Sequence, residues 1–198
     1  MNKKRKQMQI RRRITSLTIL VLLLFFGTKL AFSIKDRVEK LQYPYKYESI
    51  VNKYSKKYNL NPLFVLSVIK VESNFEEKAK SSVGAIGLMQ ITEETGKEIA
   101  NKIGYRNFMV NDLYNPEINI EFGCFYLKDL FKEFNDRDLV IAAYNGGRGN
   151  VNNWLRDQKY SKDGDNLHNI PFPETREYVE KVNKAYKMYK KIYGNEEK

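Results

Sequence analysis

The sequence predicts an almost all-α single domain that follows an N-terminal transmembrane helix. Apolar residues recur at helical spacing through most of residues 45–194, two Asn-Pro pairs provide helix starts, and no convincing alternating strand pattern competes. A chain of 198 residues has room for one domain with a real core plus an appendage. Residues 79–87 leave room for one short hairpin.

The N-terminal segment combines a basic head with an apolar run. Residues 1–13 hold seven Lys or Arg residues and no acid, and residues 14–34 are apolar apart from Lys29 and a few hydroxyl residues. Positive charge before a span keeps the N-terminus cytoplasmic, so the rest of the chain is expected outside the cell membrane. We favour an uncleaved single-pass anchor over a signal peptide, because the small-residue cleavage site at Ala31-Phe32-Ser33 lies beyond a charge. Cleavage there would give a secreted protein.

The basic charge belongs mostly to this head. Eight of the 35 Lys and Arg residues lie before residue 30, which leaves 27 against 24 Asp and Glu. No basic stripe with interleaved aromatic residues follows, so a nucleic-acid partner is not expected. Residues 35–44 are predicted to form a short charged linker that ends at Pro44.

The domain proper is predicted to run from residue 45 to residue 194. Asn61-Pro62 and Asn115-Pro116 each supply an N-cap followed by proline at the first helical position. Thr92 precedes two acidic residues and is predicted to cap another helix. Helices are expected over residues 45–58, 62–73, 93–104, 116–135, 138–144, 151–156 and 173–194, with residues 195–198 as a tail.

Several kinds of chemistry are disfavoured by the residue inventory. Cys124 is the only cysteine, so it forms no intramolecular disulfide, and it is expected to be a small buried hydrophobe rather than a nucleophile. His168 is the only histidine, which argues against a catalytic triad and a His-rich zinc site. No phosphate-binding glycine loop is present. The chemistry is therefore expected to come from carboxylates, hydroxyls and amides, with no metal or organic cofactor.

Glu72 is the candidate catalytic residue. It follows the apolar run from Leu63 to Val71 and precedes a segment rich in serine and glycine, residues 81–91. A carboxyl group at the end of an apolar helix is partly desolvated, which raises its pKa and suits a general acid near neutral pH.

Four strings of residues support this choice by their order and spacing. They are Glu72-Ser73-Asn74-Phe75, residues 84–91 (Gly-Ala-Ile-Gly-Leu-Met-Gln-Ile), residues 142–147 (Ala-Ala-Tyr-Asn-Gly-Gly) and residues 171–179 (Pro-Phe-Pro-Glu-Thr-Arg-Glu-Tyr-Val). Together with Asn115-Pro116, Asn119-Ile120 and Gly123 they resemble the lytic transglycosylase family of peptidoglycan-cleaving enzymes. The resemblance is to the soluble-transglycosylase type and covers roughly residues 45–190. It implies a lysozyme-like, goose-lysozyme-like fold.

The resemblance also implies a reaction and a substrate, the peptidoglycan glycan strand. The glutamate that matches Glu72 protonates the β-1,4 glycosidic oxygen between N-acetylmuramic acid and N-acetylglucosamine. The same group then takes the proton from the sugar's 6-hydroxyl, which closes a 1,6-anhydro ring. No second catalytic carboxylate is required, unlike in most glycosidases.

Four further residues near Glu72 in sequence are candidates for binding the sugar. Ser73 either ends the helix or hydrogen-bonds the Glu72 carboxylate. Ser81 and Gln90 match groove positions of the family and offer hydrogen bonds to acetamido and hydroxyl groups. Met89 offers a soft wall or packs in the core.

Three later residues complete the predicted substrate site. Tyr144 matches a family tyrosine that points at the catalytic glutamate or its substrate. Asn145 is expected to support a turn, because asparagine tolerates the left-handed conformation. Glu174 matches a glutamate near the groove, and it also lies in a first helical turn, where negative charge is favourable without any function. Two positions depart from the family pattern: Glu93 replaces a common proline and Gly146 a common alanine.

Three functions remain open on the sequence. The first is a membrane-anchored lytic transglycosylase. The second is a hydrolytic muramidase, in which Glu174 or Asp112 activates water. The third is an inactive wall-binding scaffold module. The oligomeric state is not specified, and a monomer is expected.

Overall fold

The computed structural model describes residues 3–194, apart from some side chains within residues 3–14. Its contacts divide the chain into two units between Pro44 and Tyr45. The first two residues of the predicted basic head and the predicted tail, residues 195–198, lie outside the described residues.

The first unit is one long helix, α1 (Lys3–Gln42). Its segment Thr15–Gln42 has a mean hydropathy of 2.2 in its most apolar window, and no part of that window is buried. By length and composition it can cross a membrane, because about 20 apolar residues span the hydrocarbon core. The linker predicted over residues 35–44 is instead helical as far as Gln42. That segment contains no glycine or proline before Pro44, and Asp36 and Lys40 form an ion pair one helical turn apart.

The second unit consists of helices and loops. Its helices are α2 (Glu48–Tyr58), α3 (Pro62–Ser73), α4 (Glu93–Ile103), α5 (Pro116–Phe134), α6 (Arg137–Gly146), α7 (Arg148–Arg156) and α8 (Pro173–Tyr193), with a 3₁₀ helix at Val110–Tyr114. No strand occurs within residues 3–194. The all-α prediction is confirmed, and the hairpin allowed for residues 79–87 is reduced to isolated bridges that pair Ile86 with Lys80 and Ile91.

The predicted helix starts are confirmed by their caps. Asn61 Oδ1 accepts hydrogen bonds from the amides of Leu63 and Phe64, and Asn115 plays the same role at the start of α5. Thr92 accepts a hydrogen bond from the amide of Thr95. The largest boundary differences are three residues, at α2, which begins at Glu48 rather than at residue 45, and at α7. Helix α7 begins at Arg148 rather than at residue 151 because the chain turns at Gly147, whose φ is 85°.

Helix α3 lies at the centre of the domain. Seven consecutive residues, 63–69, are buried on all sides of the helix. It packs against α2 and α8, while α6 packs against α5, α7 and α8. Cys124 is fully buried in α5, and burial raises the pKa of its thiol, so it is a core residue as predicted. Glu72 lies near the C-terminal end of this central helix.

Candidate active site

Glu72 lies in the last turn of α3, where it is half-buried. The helix ends one residue later, and Asn74 takes the left-handed conformation with φ 50°. Tyr178 of α8 donates a hydrogen bond from its hydroxyl to Glu72 Oε1 at 2.5 Å. The packing of α3 against α8 thus gives the carboxyl group a fixed position and one defined partner.

Burial raises the pKa of Glu72 to about 7, and the hydrogen bond from Tyr178 opposes that rise. A carboxyl group with this pKa is largely protonated in weakly acidic solution and about half protonated at neutrality. It can therefore donate a proton and afterwards act as a base at the same pH, as predicted for a general acid at an apolar helix end.

Tyr144 lies close to Glu72 but does not donate to it. Its hydroxyl donates to the carbonyl oxygen of Met89 at 2.7 Å, and its ring packs against Tyr126 with the centroids 5.4 Å apart. Burial and then the negative charge of Glu72 raise the pKa of Tyr144 well above its ordinary value. The phenol therefore stays protonated and connects α6 to the loop that follows α3.

That loop, residues 84–91, is held by Asn119 of α5. The Asn119 side chain is fully buried, accepts a hydrogen bond from the Met89 amide, and donates to the carbonyl oxygens of Ile86 and Leu113. Gly87 has φ 78°, and a Cβ there would lie 2.4 Å from both Asn119 Nδ2 and the Leu113 carbonyl oxygen. Glycine is thus required at position 87 by both conformation and space.

Met89 is a core residue and not a groove wall. Its side chain is fully buried, and a Cβ at position 123 would lie 2.2 Å from its sulfur atom. The suggestion that the Met89 side chain contacts sugar is therefore wrong for this conformation. Its main chain still contributes to the site, because it joins Tyr144 to Asn119.

Ser73 does not hydrogen-bond the Glu72 carboxylate. Its hydroxyl donates to the carbonyl oxygen of Leu88 at 2.8 Å and accepts from the amide of Phe75 at 3.1 Å. It therefore joins the end of α3 to the loop. The prediction that Ser73 ends the helix is confirmed, and the alternative hydrogen bond to the Glu72 carboxylate is not formed.

Ser81 and Gln90 are half-buried and are used largely within the loop. The Ser81 hydroxyl accepts a hydrogen bond from the Ala85 amide, and the Gln90 amide nitrogen donates to the Gly87 carbonyl oxygen at 2.9 Å. The carbonyl oxygen of Gln90 and the hydroxyl hydrogen of Ser81 are the parts of these groups still suited to a sugar. Their role as ligands stays a prediction.

Asn145 is helical, so the predicted left-handed turn at this position is wrong. Gly147 takes the positive φ instead, and Asn145 Oδ1 accepts a hydrogen bond from the Thr175 hydroxyl at 2.8 Å. A Cβ at Gly146 would lie 2.9 Å from that hydroxyl oxygen. The departure from alanine at position 146 is explained by this close approach of α8 to α6.

Glu174 is exposed in the first turn of α8, where its charge favours the helix. Within residues 3–194, Glu174 forms no hydrogen bond with Glu72. Tyr178, four residues later, is the partner of the catalytic candidate, and the sequence analysis did not select it. The signal was its position in the string 171–179, one helical turn after Glu174.

Replacing Tyr178 by Phe is expected to move the alkaline limit of activity to higher pH. The lost hydrogen bond stabilises the Glu72 carboxylate, so its removal raises the pKa of Glu72, and the protonated acid persists to higher pH. The loss of orientation should also lower kcat by roughly tenfold, as expected for one hydrogen bond to a charged group. A pH profile of muropeptide release measures both effects. Tyr160→Phe is the matched control, and an unmoved alkaline limb would contradict the role of Tyr178.

Comparisons with known proteins identify the relatives of this chain. The family model of the Transglycosylase SLT domain matches residues 49–167. The chain is 32% identical over 165 residues to the soluble lytic murein transglycosylase of Salmonella typhimurium, covering 82% of this chain and 25% of that protein. It is 32% identical to the membrane-bound lytic murein transglycosylase C of Cronobacter sakazakii, covering 74% of this chain and 47% of that protein.

A solved structure gives the same result for the fold. An inactive mutant of the lytic transglycosylase Slt from Pseudomonas aeruginosa superposes with a TM-score of 0.68 at 32% identity, covering 77% of this chain and 25% of that one. The chain thus spans about a quarter to a half of the length of these relatives. Because the family model matches more than half of its residues, the chain belongs to the Transglycosylase SLT domain family.

Proposed function

We propose that this chain cleaves the β-1,4 bond between N-acetylmuramic acid and N-acetylglucosamine in peptidoglycan without water, leaving 1,6-anhydromuramic ends. The observation that carries the proposal is the Glu72 carboxyl group, whose burial places its pKa near 7. Among the described residues, no Asp or Glu contributes to that shift. A lone acid that is partly protonated at neutrality suits a reaction in which one group acts twice.

In the first step, Glu72 donates its proton to the glycosidic oxygen as the bond to C1 of the muramic acid residue breaks. The departing N-acetylglucosamine residue leaves with a free 4-hydroxyl, and the 2-acetamido group of the muramic acid residue stabilises the positive centre. In the second step, the Glu72 carboxylate takes the proton from the 6-hydroxyl while O6 bonds to C1. Glu72 ends protonated as it began, and no water is consumed.

The other site residues act by position. Tyr178 donates to Glu72 Oε1 and orients the carboxyl group, which stabilises the carboxylate between the two steps. Tyr144 and Ser73 bond carbonyl oxygens of the loop, at Met89 and Leu88, and so hold it beside α3. Ser81, Gln90 and Glu174 are proposed as substrate-binding groups of this groove.

The hydrolytic muramidase is less well supported. It needs a second carboxylate free to activate water near Glu72. Asp112 instead accepts a hydrogen bond from the Met109 amide at the start of the 3₁₀ helix, and Glu174 is exposed. The inactive scaffold is disfavoured by the hydrogen bond between Tyr178 and Glu72 and by the raised pKa of Glu72. A raised pKa of a buried acid lowers the stability of the domain, and wall binding does not require it.

We propose that α1 anchors the chain in the cell membrane with residues 45–194 outside. Its apolar segment is long enough to span, and the basic residues before it favour a cytoplasmic N-terminus. One of the relatives is described as membrane-bound. Secretion after cleavage is the alternative, and comparing the mass of the chain in membranes with that of the full sequence separates the two.

Mass spectrometry of muropeptides released by the full chain in detergent tests the reaction. We expect muropeptides with 1,6-anhydromuramic ends, each lighter by one water than the reducing muropeptide, and no incorporation of oxygen from labelled water. Reducing ends that carry the labelled oxygen would support the muramidase instead. Intact glycan strands after prolonged incubation would support the scaffold.

A further inference from the structure

A cavity separate from the catalytic candidate opens at the other end of α3. Its volume is about 550 Å³, and Phe64 of α3 is among the residues that line it. Phe64 precedes Glu72 by eight residues, which corresponds to about 12 Å along the helix axis. A cavity of this size is in the range of small-ligand sites, and no step of the proposed reaction uses it.

The walls of the cavity are aromatic. The Phe64 ring is buried and makes edge-to-face contacts with Phe131 and Tyr186, at centroid distances of 5.7 and 5.8 Å. Phe131, Tyr186 and Tyr58 line the cavity and are only half-buried, so parts of their rings are open to a ligand. Such walls suit methyl groups and the apolar face of a sugar ring.

The rim of the cavity is cationic. Lys128, Lys132 and Arg137 line it, and no acidic side chain does. The Arg137 guanidinium lies over the Tyr186 ring at 5.2 Å, which holds its planar group at the opening. A second cleft of about 350 Å³, lined by the same two side chains, adds Lys187 and Lys190.

Two of these cations, Lys128 and Lys132, lie next to each other on α5. The neighbouring Lys132 ammonium, together with partial burial, lowers the pKa of Lys128. The acids beside them in sequence, Asp129 and Glu133, both pair with Arg148, and the charge of Asp129 only partly opposes the lowering of the Lys128 pKa. Within residues 3–194, neither Lys128 nor Lys132 forms an ion pair with an acidic side chain. An anion bound between them would relieve their repulsion.

We infer that this cavity is an accessory binding site for the carboxylate-bearing peptide stems of the peptidoglycan strand. The inference rests on the proposed function, which brings a polymer with such stems to the domain. The cationic rim is complementary to the carboxylates, to which a guanidinium can donate two parallel hydrogen bonds. The aromatic walls can pack against the methyl groups of the stems. The strand is then held at two places, at the cavity by its peptides and at Glu72 by its sugars.

Binding measured with the full chain carrying Glu72→Gln tests this site without any turnover. The probes are soluble uncrosslinked glycan strands with their peptides and the same strands after enzymatic removal of the peptides. We expect peptide removal to weaken binding about tenfold. Lys128→Gln with Lys132→Gln should abolish most of that difference and leave binding of the peptide-free strands unchanged. The matched control is Lys97→Gln with Lys181→Gln, two exposed helical lysines, each of which pairs only with a glutamate one turn away.

Other outcomes overturn the inference. Equal binding of peptide-bearing strands by the cavity variant and its parent would do so, as would an equal loss for both kinds of strand. The inference is also overturned if replacing the two lysines weakens binding only to poly(glycerol phosphate) or to vesicles of anionic phospholipid. Tyr186→Leu removes an aromatic wall of the cavity. It should also reduce the difference in binding between strands with peptides and strands without them. Failure of the proposed reaction would appear separately, as the absence of anhydro ends from the unmodified chain.

Discussion

Replacing Glu72 by Gln is expected to lower muropeptide release by about 10²–10⁴-fold, the usual contribution of a positioned general acid. Glutamine has nearly the same shape, and its carbonyl oxygen can still accept the hydrogen bond from Tyr178. It cannot donate an acidic proton to the glycosidic oxygen. Rates are measured by chromatography of products from purified glycan strands, and a variant as active as the parent contradicts the assignment of Glu72.

The free energy of unfolding of Glu72→Gln, compared with that of the parent at two pH values, shows whether the variant keeps its fold. Burial raises the pKa of Glu72 to about 7 in the folded domain from about 4.5 in the unfolded chain. A domain that holds an acid with a raised pKa becomes less stable as the pH rises between those values. The free energy of unfolding of the parent should therefore fall by up to about 3 kcal/mol from this group above pH 7. Glu72→Gln should match the parent at pH 4 and be more stable at pH 8. Equal stability at both values would show that the group is solvated.

Replacing Asn119 by Ala is expected to destabilise the domain by about 3–5 kcal/mol. The change removes three hydrogen bonds and leaves the Met89 amide and the Ile86 and Leu113 carbonyl oxygens buried without them. Because the loop of residues 84–91 loses its support, activity should fall together with stability. Urea unfolding followed by the fluorescence of Trp154, the single tryptophan, gives the free energy.

Asn153→Ala is the matched control for this experiment. Asn153 is exposed on α7, so its loss should change the stability by less than about 0.5 kcal/mol. If Asn119→Ala unfolds at the same urea concentration as the control and the parent, the loop does not depend on the Asn119 side chain, and the explanation of Gly87 fails with it.

The helices could be predicted from sequence because their signals are local. Asn61 and Asn115 cap the helices that follow them, and the prolines next to them fix the first helical positions. The extent of α1 was underestimated because a run of charges was taken as a linker. Charged residues such as Asp36 and Lys40 form good helices when no glycine or proline intervenes.

The site was only partly predictable, because its contacts join segments that are distant in sequence. Glu72 was selected because a carboxyl group at the end of an apolar helix is a local sequence pattern, and the pKa of Glu72 is raised as that pattern predicts. The hydrogen bond from Tyr178 to Glu72 spans 106 residues, and the one from Tyr144 to Met89 spans 55. Residue type and spacing do not specify such partners.

The same limit explains why the contacts of Ser73, Met89 and Asn145 were not predicted. Each was a candidate for the substrate site, with helix termination, core packing or a turn as the alternative, and each joins one element to another. Ser73 donates a hydrogen bond to the carbonyl oxygen of Leu88, and Asn145 accepts one from the Thr175 hydroxyl. Met89 packs against Gly123. Small polar and flexible apolar residues near a catalytic group thus often serve to position its surroundings.

A titration of the Glu72 carboxyl carbon by NMR tests the central claim most directly. The full chain is labelled with ¹³C-glutamate, and the signal absent from Glu72→Gln identifies the group. We expect a midpoint near pH 7, which moves upward in Tyr178→Phe. A midpoint near 4.5, unchanged by the loss of Tyr178, would show an ordinary solvated glutamate and contradict the account.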